Sequence, residues 1–428
     1  MKIVNTNLSF TLEPFIKPFG FKGGYINELW NVVARVTDDS GEYGVGCGVQ
    51  SVLWSDSAVF AESSVCGGNI KMIAISEYAL SLLKGREFGT PIEAMDAIFA
   101  DVYEYAKRVT NNGKLKKTFA LNALVPVDNA LWQLYGRMRG TEDFLSLVPS
   151  KYRSALGKRT DKLCNIPLVT YKMSIDEVLK LVNDGFFFLK IKIGSDPDGD
   201  GSREKMLEWD KNRLKEIHEA VKDIKIEYTE NGHIPYYFDA NGRYDSKDRL
   251  KEFLDYAEQI GALDRIMILE EPFPEEYKVD VSDLGVRIAA DESAHSVGDA
   301  LERIALGYGA IALKPIAKTM SESIKILFAA SEKNIPCFCA DLTVNPLMVD
   351  FNKNVAARIE LFPGMKIGIV ESNGAQNYVN WEKMMTYHPL YGKAGFIEAK
   401  NGIFNLDDDF YKTSGGIFLK SDYYESLV

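Results

Sequence analysis

The sequence predicts an α/β protein: a (β/α)8-type TIM barrel preceded by an N-terminal α+β domain. Three observations predict it. From about residue 166 onward, eight short apolar runs of strand length recur with helical stretches between most of them. From the second run onward, each run ends on or beside a charged residue, the pattern of a barrel whose strand ends converge on one mouth. Before residue 150 the pattern is different, a β-hairpin followed by long stretches of helical periodicity. With 428 residues, 46% hydrophobic and 26% charged, the chain can bury a barrel of roughly 250 residues and a smaller domain beside it.

In the first domain, Leu29 to Val36 reads as a strand, Asp38-Asp39-Ser40-Gly41 as a turn and Tyr43 to Val49 as the return strand. Helical periodicity follows in Lys71–Lys84, Ile92–Val109 and Thr118–Met138, with Gly140 as a stop. Phe15 to Gly24 and Gly48 to Asp56 read as loops flanking the strands. Gly44-Val45-Gly46-Cys47-Gly48 is glycine-rich, but no phosphate-loop lysine follows it. It therefore reads as close packing or a loop bend.

The predicted barrel strands are Ile166–Tyr171, Phe186–Ile193, Tyr236–Asp239, Arg265–Leu269, Val286–Ala290, Ala310–Leu313, Ile335–Ala340 and Met365–Val370. Ser174-Ile175-Asp176-Glu177 is a capping box, and Gly185 closes the helix it starts. Another helix runs from Ser246 to Gly261. The expected organisation is an N-terminal domain over 1–150, a barrel over 151–374, and a C-terminal segment over 375–428 that folds back on the first domain.

The net charge of −11 argues against nucleic acid or an anionic membrane as partner. Five cysteines at irregular spacing point to reduced thiols in the core and a cytoplasmic location. Neither a signal peptide nor a run of ~20 apolar residues is evident. The expected partner is a small-molecule carboxylate.

The polar residues at the strand ends carry the chemistry. Strand two ends in Lys190 and Lys192, which share one face because side chains alternate. Strands three to six deliver Asp239 with Asn241, Glu270, Asp291 with Glu292, and Lys314; strands seven and eight deliver Asp341 and Glu371. A buried lysine needs a partner, and carboxylates on the next three strands supply one. Singly, an acidic residue at a strand end is more often a helix cap. The order K-x-K, D, E, D, K on successive strands is what favours a site. Asp239, Glu270 and Asp291 make an oxygen-only ligand set, which favours Mg²⁺ over zinc or copper. Lys192 and Lys314 would flank that metal, and one of them, neutral, could serve as base. The chemistry permitted is removal of a proton α to a carboxylate. Asp196-Pro197-Asp198-Gly199-Asp200-Gly201 mimics a calcium loop, but its twelfth position is Leu207 rather than glutamate.

Lys190-Ile191-Lys192, FDAN at 238–241, LEEP at 269–272, ADES at 290–293 and Leu313-Lys314-Pro315 together resemble the enolase superfamily, and within it the muconate lactonizing enzyme-like subgroup. Enolase-superfamily sites combine a lysine or histidine base with Mg²⁺. The resemblance implies that the N-terminal part is a capping domain. It implies that Lys192 and Lys314 are an acid/base pair on opposite faces of the substrate, and that Lys190 contacts the substrate carboxylate. Asp239, Glu270 and Asp291 would bind Mg²⁺, with Asn241 and Glu292 as outer supports. Phe19, Phe21, Trp54, Lys172, Asp341 and Glu371 are the expected substrate contacts, and a homo-oligomer is the common state of such proteins. The chain departs from the pattern in places. PIAKTMSES follows Lys314 where the subgroup often has Gly-Gly, and Val370-Glu371-Ser372-Asn373 replaces the Asp-x-Asp that dipeptide epimerases use for an ammonium group. The histidine–aspartate dyad of mandelate racemase and of many sugar-acid dehydratases is missing. Epimerisation or racemisation of an amino-acid derivative or dipeptide is the leading expectation. Dehydration, cycloisomerisation, a non-catalytic relative and a metal-free Schiff-base enzyme stand as alternatives.

Overall fold

The computed structural model describes residues 1–22 and 24–428. Three strands open the chain, β1 (Ile3–Phe21), β2 (Gly24–Asp38) and β3 (Tyr43–Gln50), paired antiparallel in that order. β2 and β3 are the expected hairpin. The Asp38 carboxylate holds their turn by accepting the N–H groups of Ser40 and Glu42 at 3.0 Å each. β1 was not expected, because Pro14 and Pro18 mask the alternation of Leu8, Phe10 and Leu12 with Ser9 and Thr11. The ladder absorbs the interruption as a register shift between Pro14 and Phe19.

Helices Ser57–Leu83, Pro91–Thr110 and Lys117–Arg139 complete this domain. The first starts earlier than the expected Lys71 and kinks at Ser64, whose φ is 59°. The expected loop after Gly48 is instead the end of β3 and a turn of helix, Val52–Ser55. Helix Lys117–Arg139 lies directly on β3. A Cβ at Gly44 or at Gly46 would stand 2.1 Å from the backbone of Ala130. The glycine run is therefore close packing.

The second sheet contains β4 (Lys162–Ile166), β5 (Leu168–Val169), β6 (Leu189–Lys192), β7 (Tyr236–Asp239), β8 (Ile266–Glu270), β9 (Ile288–Ala290), β10 (Ala310–Leu313), β11 (Cys337–Cys339), β12 (Gly368–Glu371) and β13 (Ile403–Asn405). Strands β5 to β12 follow one another in parallel, and β12 then pairs with β4. β4 and β5 are two halves of one strand path, split at Pro167, which has no N–H to donate. The two ends of the ladder thus meet, and eight strand positions close into the predicted barrel. The expected first strand, Ile166–Tyr171, is corrected accordingly, and the second starts at Leu189 rather than Phe186.

Aromatic rings fill the barrel below the lysines. Phe188, Tyr237, Phe338 and Phe362 stack edge to face with centroids 5.5–6.2 Å apart. After β12 the chain touches both sheets. β13 adds antiparallel to β4, the Val379 N–H donates to the carbonyl of Pro14, and Arg137 pairs with Glu425 at 3.1 Å. Among the described residues all cysteines are free and no helix is long and apolar enough to cross a membrane. Cys66 is exposed rather than in the core.

Candidate active site

A cavity of about 40 Å³ lies where the N-terminal sheet covers the C-terminal ends of the barrel strands. Phe19, Phe21 and Trp54 roof it; Lys190, Lys192, Asp239, Asn241, Lys314, Asp341 and Glu371 form its walls. Thirteen of the expected site residues therefore fall into two groups around one space, those lining the cavity and the buried carboxylates Glu270, Asp291 and Glu292. Lys172 is the exception. It is exposed, lies over the ring of Tyr25 at 5.3 Å, and lines two larger outer cavities instead.

Each barrel strand delivers its charged group by the alternation expected of β structure. Lys190 and Lys192 both point inward from β6. Lys190 Nζ stands 3.1 Å from Asp239, 3.3 Å from Glu270 and 3.0 Å from Glu371, and 4.7 Å above the ring of Tyr237. Lys192 Nζ donates to Asp239 Oδ2 at 2.6 Å and to Asn241 Oδ1 at 2.5 Å. Across the barrel, Lys314 pairs with Asp291, and the Tyr237 hydroxyl donates to Glu270. The three buried lysines are tolerated because each has a carboxylate partner.

Burial opposes these charges and the pairs decide the outcome. Desolvation pushes Lys190 toward neutrality, yet Asp239, Glu270 and Glu371 hold its pKa well above the ordinary value. Desolvation likewise opposes Lys314, but Asp291 keeps its pKa raised. Burial would raise Asp239 and Asp291, and their lysine neighbours outweigh it, leaving both carboxyls depressed. Glu270 goes the other way, pushed up to about 7 by burial despite Lys190. Burial and the neighbouring Glu371 lift Asp341 to about 7.

The site's carboxylates fit a hard divalent cation. Glu270, Asp291 and Glu292 each offer an oxygen within 4.8 Å of the others. Glu292 Oε2 is buried with no hydrogen-bond donor, an expensive condition unless a cation answers it, and Asp291 Oδ1 has the Lys318 ammonium beside it at 3.1 Å. This cluster includes Glu292, expected only as an outer support, while Asp239 is engaged by two lysines.

Four participants escaped the sequence reading. Lys318 places Nζ 3.1 Å from Asp291 Oδ1 and donates to the Asp291 carbonyl at 2.5 Å. Its signal was its place four residues, one helical turn, after Lys314. Lys22 reaches Glu292 at 3.0 Å from the far domain, a contact with no local signal. Tyr237 shares the inward face of β7 with Asp239, so alternation could have found it. Glu271 is buried beside the cluster with φ 42°, and burial together with Glu292 pushes its pKa up to about 8.

A model of the family described as Enolase C-terminal domain-like matches residues 174–403, more than half of the chain. The chain belongs to that family. Its architecture is that of the mandelate racemase and muconate lactonizing enzyme-like members of the enolase superfamily, as the motifs implied. A mandelate racemase/muconate lactonizing protein from Herpetosiphon aurantiacus is 18% identical, with 95% of this chain and 96% of that one covered at a TM-score of 0.64. An enolase-superfamily member from Listeria innocua Clip11262 is 18% identical, with coverage of 100% and 96% and a TM-score of 0.66. A dipeptide epimerase from Enterococcus faecalis V583, crystallised with Mg and the dipeptide L-Leu-L-Tyr, is 18% identical, with coverage of 87% and 90% and a TM-score of 0.62. No curated protein matches this enolase-superfamily chain in sequence.

Proposed function

We propose that this protein is a Mg²⁺-dependent epimerase or racemase that removes and returns the proton α to a substrate carboxylate, acting on an amino-acid derivative or dipeptide. One observation carries the reading: Lys192 and Lys314, from β6 and β10 on opposite sides of the barrel, line the same small, roofed cavity. One ammonium and one amine on opposite faces of an α carbon can take a proton from one side and return it from the other.

Asp239, Glu270 and Asp291, with Glu292 beside them, would hold the metal. Bound there, Mg²⁺ would supply positive charge for the negative charge that develops on the substrate carboxylate. Lys190, fixed among three carboxylates, faces the substrate carboxylate. Phe19, Phe21 and Trp54 exclude water from the reacting carbon. Asp341 and Glu371 provide acidic groups in the cavity wall where a substrate ammonium or amide N–H can be held, a part for which epimerases of the dipeptide kind use a different strand-end motif. Structural neighbours described as dipeptide epimerases with Mg support this substrate class.

The test is α-proton exchange in D₂O with Mg²⁺ over pooled dipeptides and N-acyl amino acids, read by mass spectrometry and chiral chromatography. Metal-dependent deuterium uptake with inversion is expected. Uptake without inversion would make the enzyme a lyase or cycloisomerase, and exchange that survives chelation would overturn the metal mechanism.

A further inference from the structure

We propose that Glu271 is a positioning residue that ties the strand ends of the candidate metal cluster together, its carboxylate fixing the backbone that presents Asp291. This rests on the metal reading of the cluster given above. Glu270 is the last residue of β8, and the chain turns sharply at the next position. There Glu271 adopts φ 42°, the left-handed region where glycine is at home and a glutamate is strained. A glycine would relieve that turn, so the presence of a long acidic side chain calls for a second reason.

The reason lies in where its atoms go. Glu271 Oε2 accepts the N–H of Asp291 at 2.8 Å, the N–H of Ser293 at 3.2 Å and the hydroxyl of Ser293 at 3.0 Å. Its own N–H donates to the carbonyl of Ala289 in β9 at 2.9 Å. Its carbonyl accepts the N–H of Gly242, in the loop after β7, at 2.6 Å. One residue therefore joins the ends of the three strands that carry Asp239, Glu270 and Asp291. The residue is 1% exposed, and among the described residues no hydrogen-bond partner reaches its other oxygen, Oε1. Partners that orient ligating groups set metal affinity as well as local shape.

The strained turn makes the proposal separable from a purely structural role. If Glu271 only had to make the turn, Glu271→Gly would serve as well or better. If its carboxylate positions Asp291, Glu271→Gly and Glu271→Leu weaken Mg²⁺ binding about tenfold or more, whereas Glu271→Gln, which keeps an accepting oxygen, stays within about threefold. Titration calorimetry of the full-length protein with MgCl₂, beside thermal melts without metal, reads this directly. In the exchange assay the same variants should need more Mg²⁺ but recover the native turnover at saturation. Native-like Mg²⁺ affinity in the glycine variant would overturn the proposal. Should Glu271→Leu fail to fold, the glycine and glutamine pair still decides. A native protein that binds no Mg²⁺ would overturn the underlying metal reading instead.

Discussion

Lys22, at the tip of the N-terminal hairpin, places its Nζ 3.0 Å from the buried carboxylate of Glu292 in the barrel, where it also donates to the carbonyl of Trp54 at 2.9 Å. The contact crosses from the domain that roofs the cavity to the loop that carries Asp291. Lys22 is 10% exposed by side chain and Glu292 is fully buried. Burial would raise Glu292, and Lys22 instead holds it down to about 2.

Breaking such a pair from one side leaves a buried charge without a partner, at a cost of about 3 kcal/mol. Lys22→Met is therefore expected to loosen the roof over the cavity. Limited proteolysis should cut the hairpin between β1 and β2 faster than in the native protein. KM in the exchange assay should rise about tenfold with a smaller change in kcat, since the residue touches neither lysine of the pair. An unchanged cleavage rate and KM would show that the hairpin is held by its apolar contacts alone.

The lysine pair makes a stereochemical prediction. Lys192→Ala and Lys314→Ala should each abolish inversion, with turnover down about 10²–10⁴-fold. Each variant should keep slow exchange of the α proton from one enantiomer only, and the two variants should differ in which one. Chiral analysis of deuterated product from each pure enantiomer checks this. Loss of exchange from the same enantiomer in both variants would assign both lysines to one face.

How much of this was legible in the sequence follows from what each residue's position depends on. Lys190, Lys192, Asp239, Glu270, Asp291 and Lys314 stand in apolar runs whose period of two fixes the side-chain face, so the barrel and its inward charges were readable residue by residue. The boundary at Pro167 and the strand β1 were not, because one proline split a strand that the ring still closes, and two others hid an alternation. Contacts set by the docking of one domain on the other left no local trace. Lys22 against Glu292 is of that kind. So is Trp132, whose indole N–H donates to Ser321 at 3.1 Å across the domain contact. The glycines of β3 were visible, but their purpose depended on a helix eighty residues downstream.

That helix gives a packing prediction. A Cβ at Gly46 would meet the Ala130 nitrogen at 2.1 Å and the Pro126 carbonyl at 2.2 Å, both backbone atoms that cannot turn aside. Gly46→Ala should therefore destabilise the protein by about 3 kcal/mol, the upper part of the usual range for overpacking. Urea denaturation followed by tryptophan fluorescence measures it. Trp132 sits on the same helix, so its emission should shift even in the folded variant.

Asp128 yields a pH prediction whose sign can be worked out. It lies within helix Lys117–Arg139 and accepts the N–H of Ser321 at 3.0 Å and the Ser321 hydroxyl at 2.5 Å, joining the first domain to the helix after β10. Burial lifts its pKa to about 7, with the Ser321 bonds opposing. In the unfolded chain it titrates near the ordinary value of about 3.9. Between those two values the folded state holds the proton and the unfolded state does not. Stability from this group is therefore present at low pH and falls as pH rises, levelling off above about 7. Asp128→Asn removes the titration while keeping the shape of the protonated carboxyl, and the Ser321 hydroxyl can rotate to accept from the new amide. The variant should match the native protein only below about pH 3.9, where both states hold the proton, and should already be the more stable by about 2 kcal/mol at pH 5.5. Relative to native it should gain about 2 kcal/mol as the pH rises from 5.5 to 7.5, from the slope of about 1.4 kcal/mol per unit. Urea midpoints across that range decide it. A difference between the two proteins that stays constant with pH would mean that Asp128 is ionised throughout.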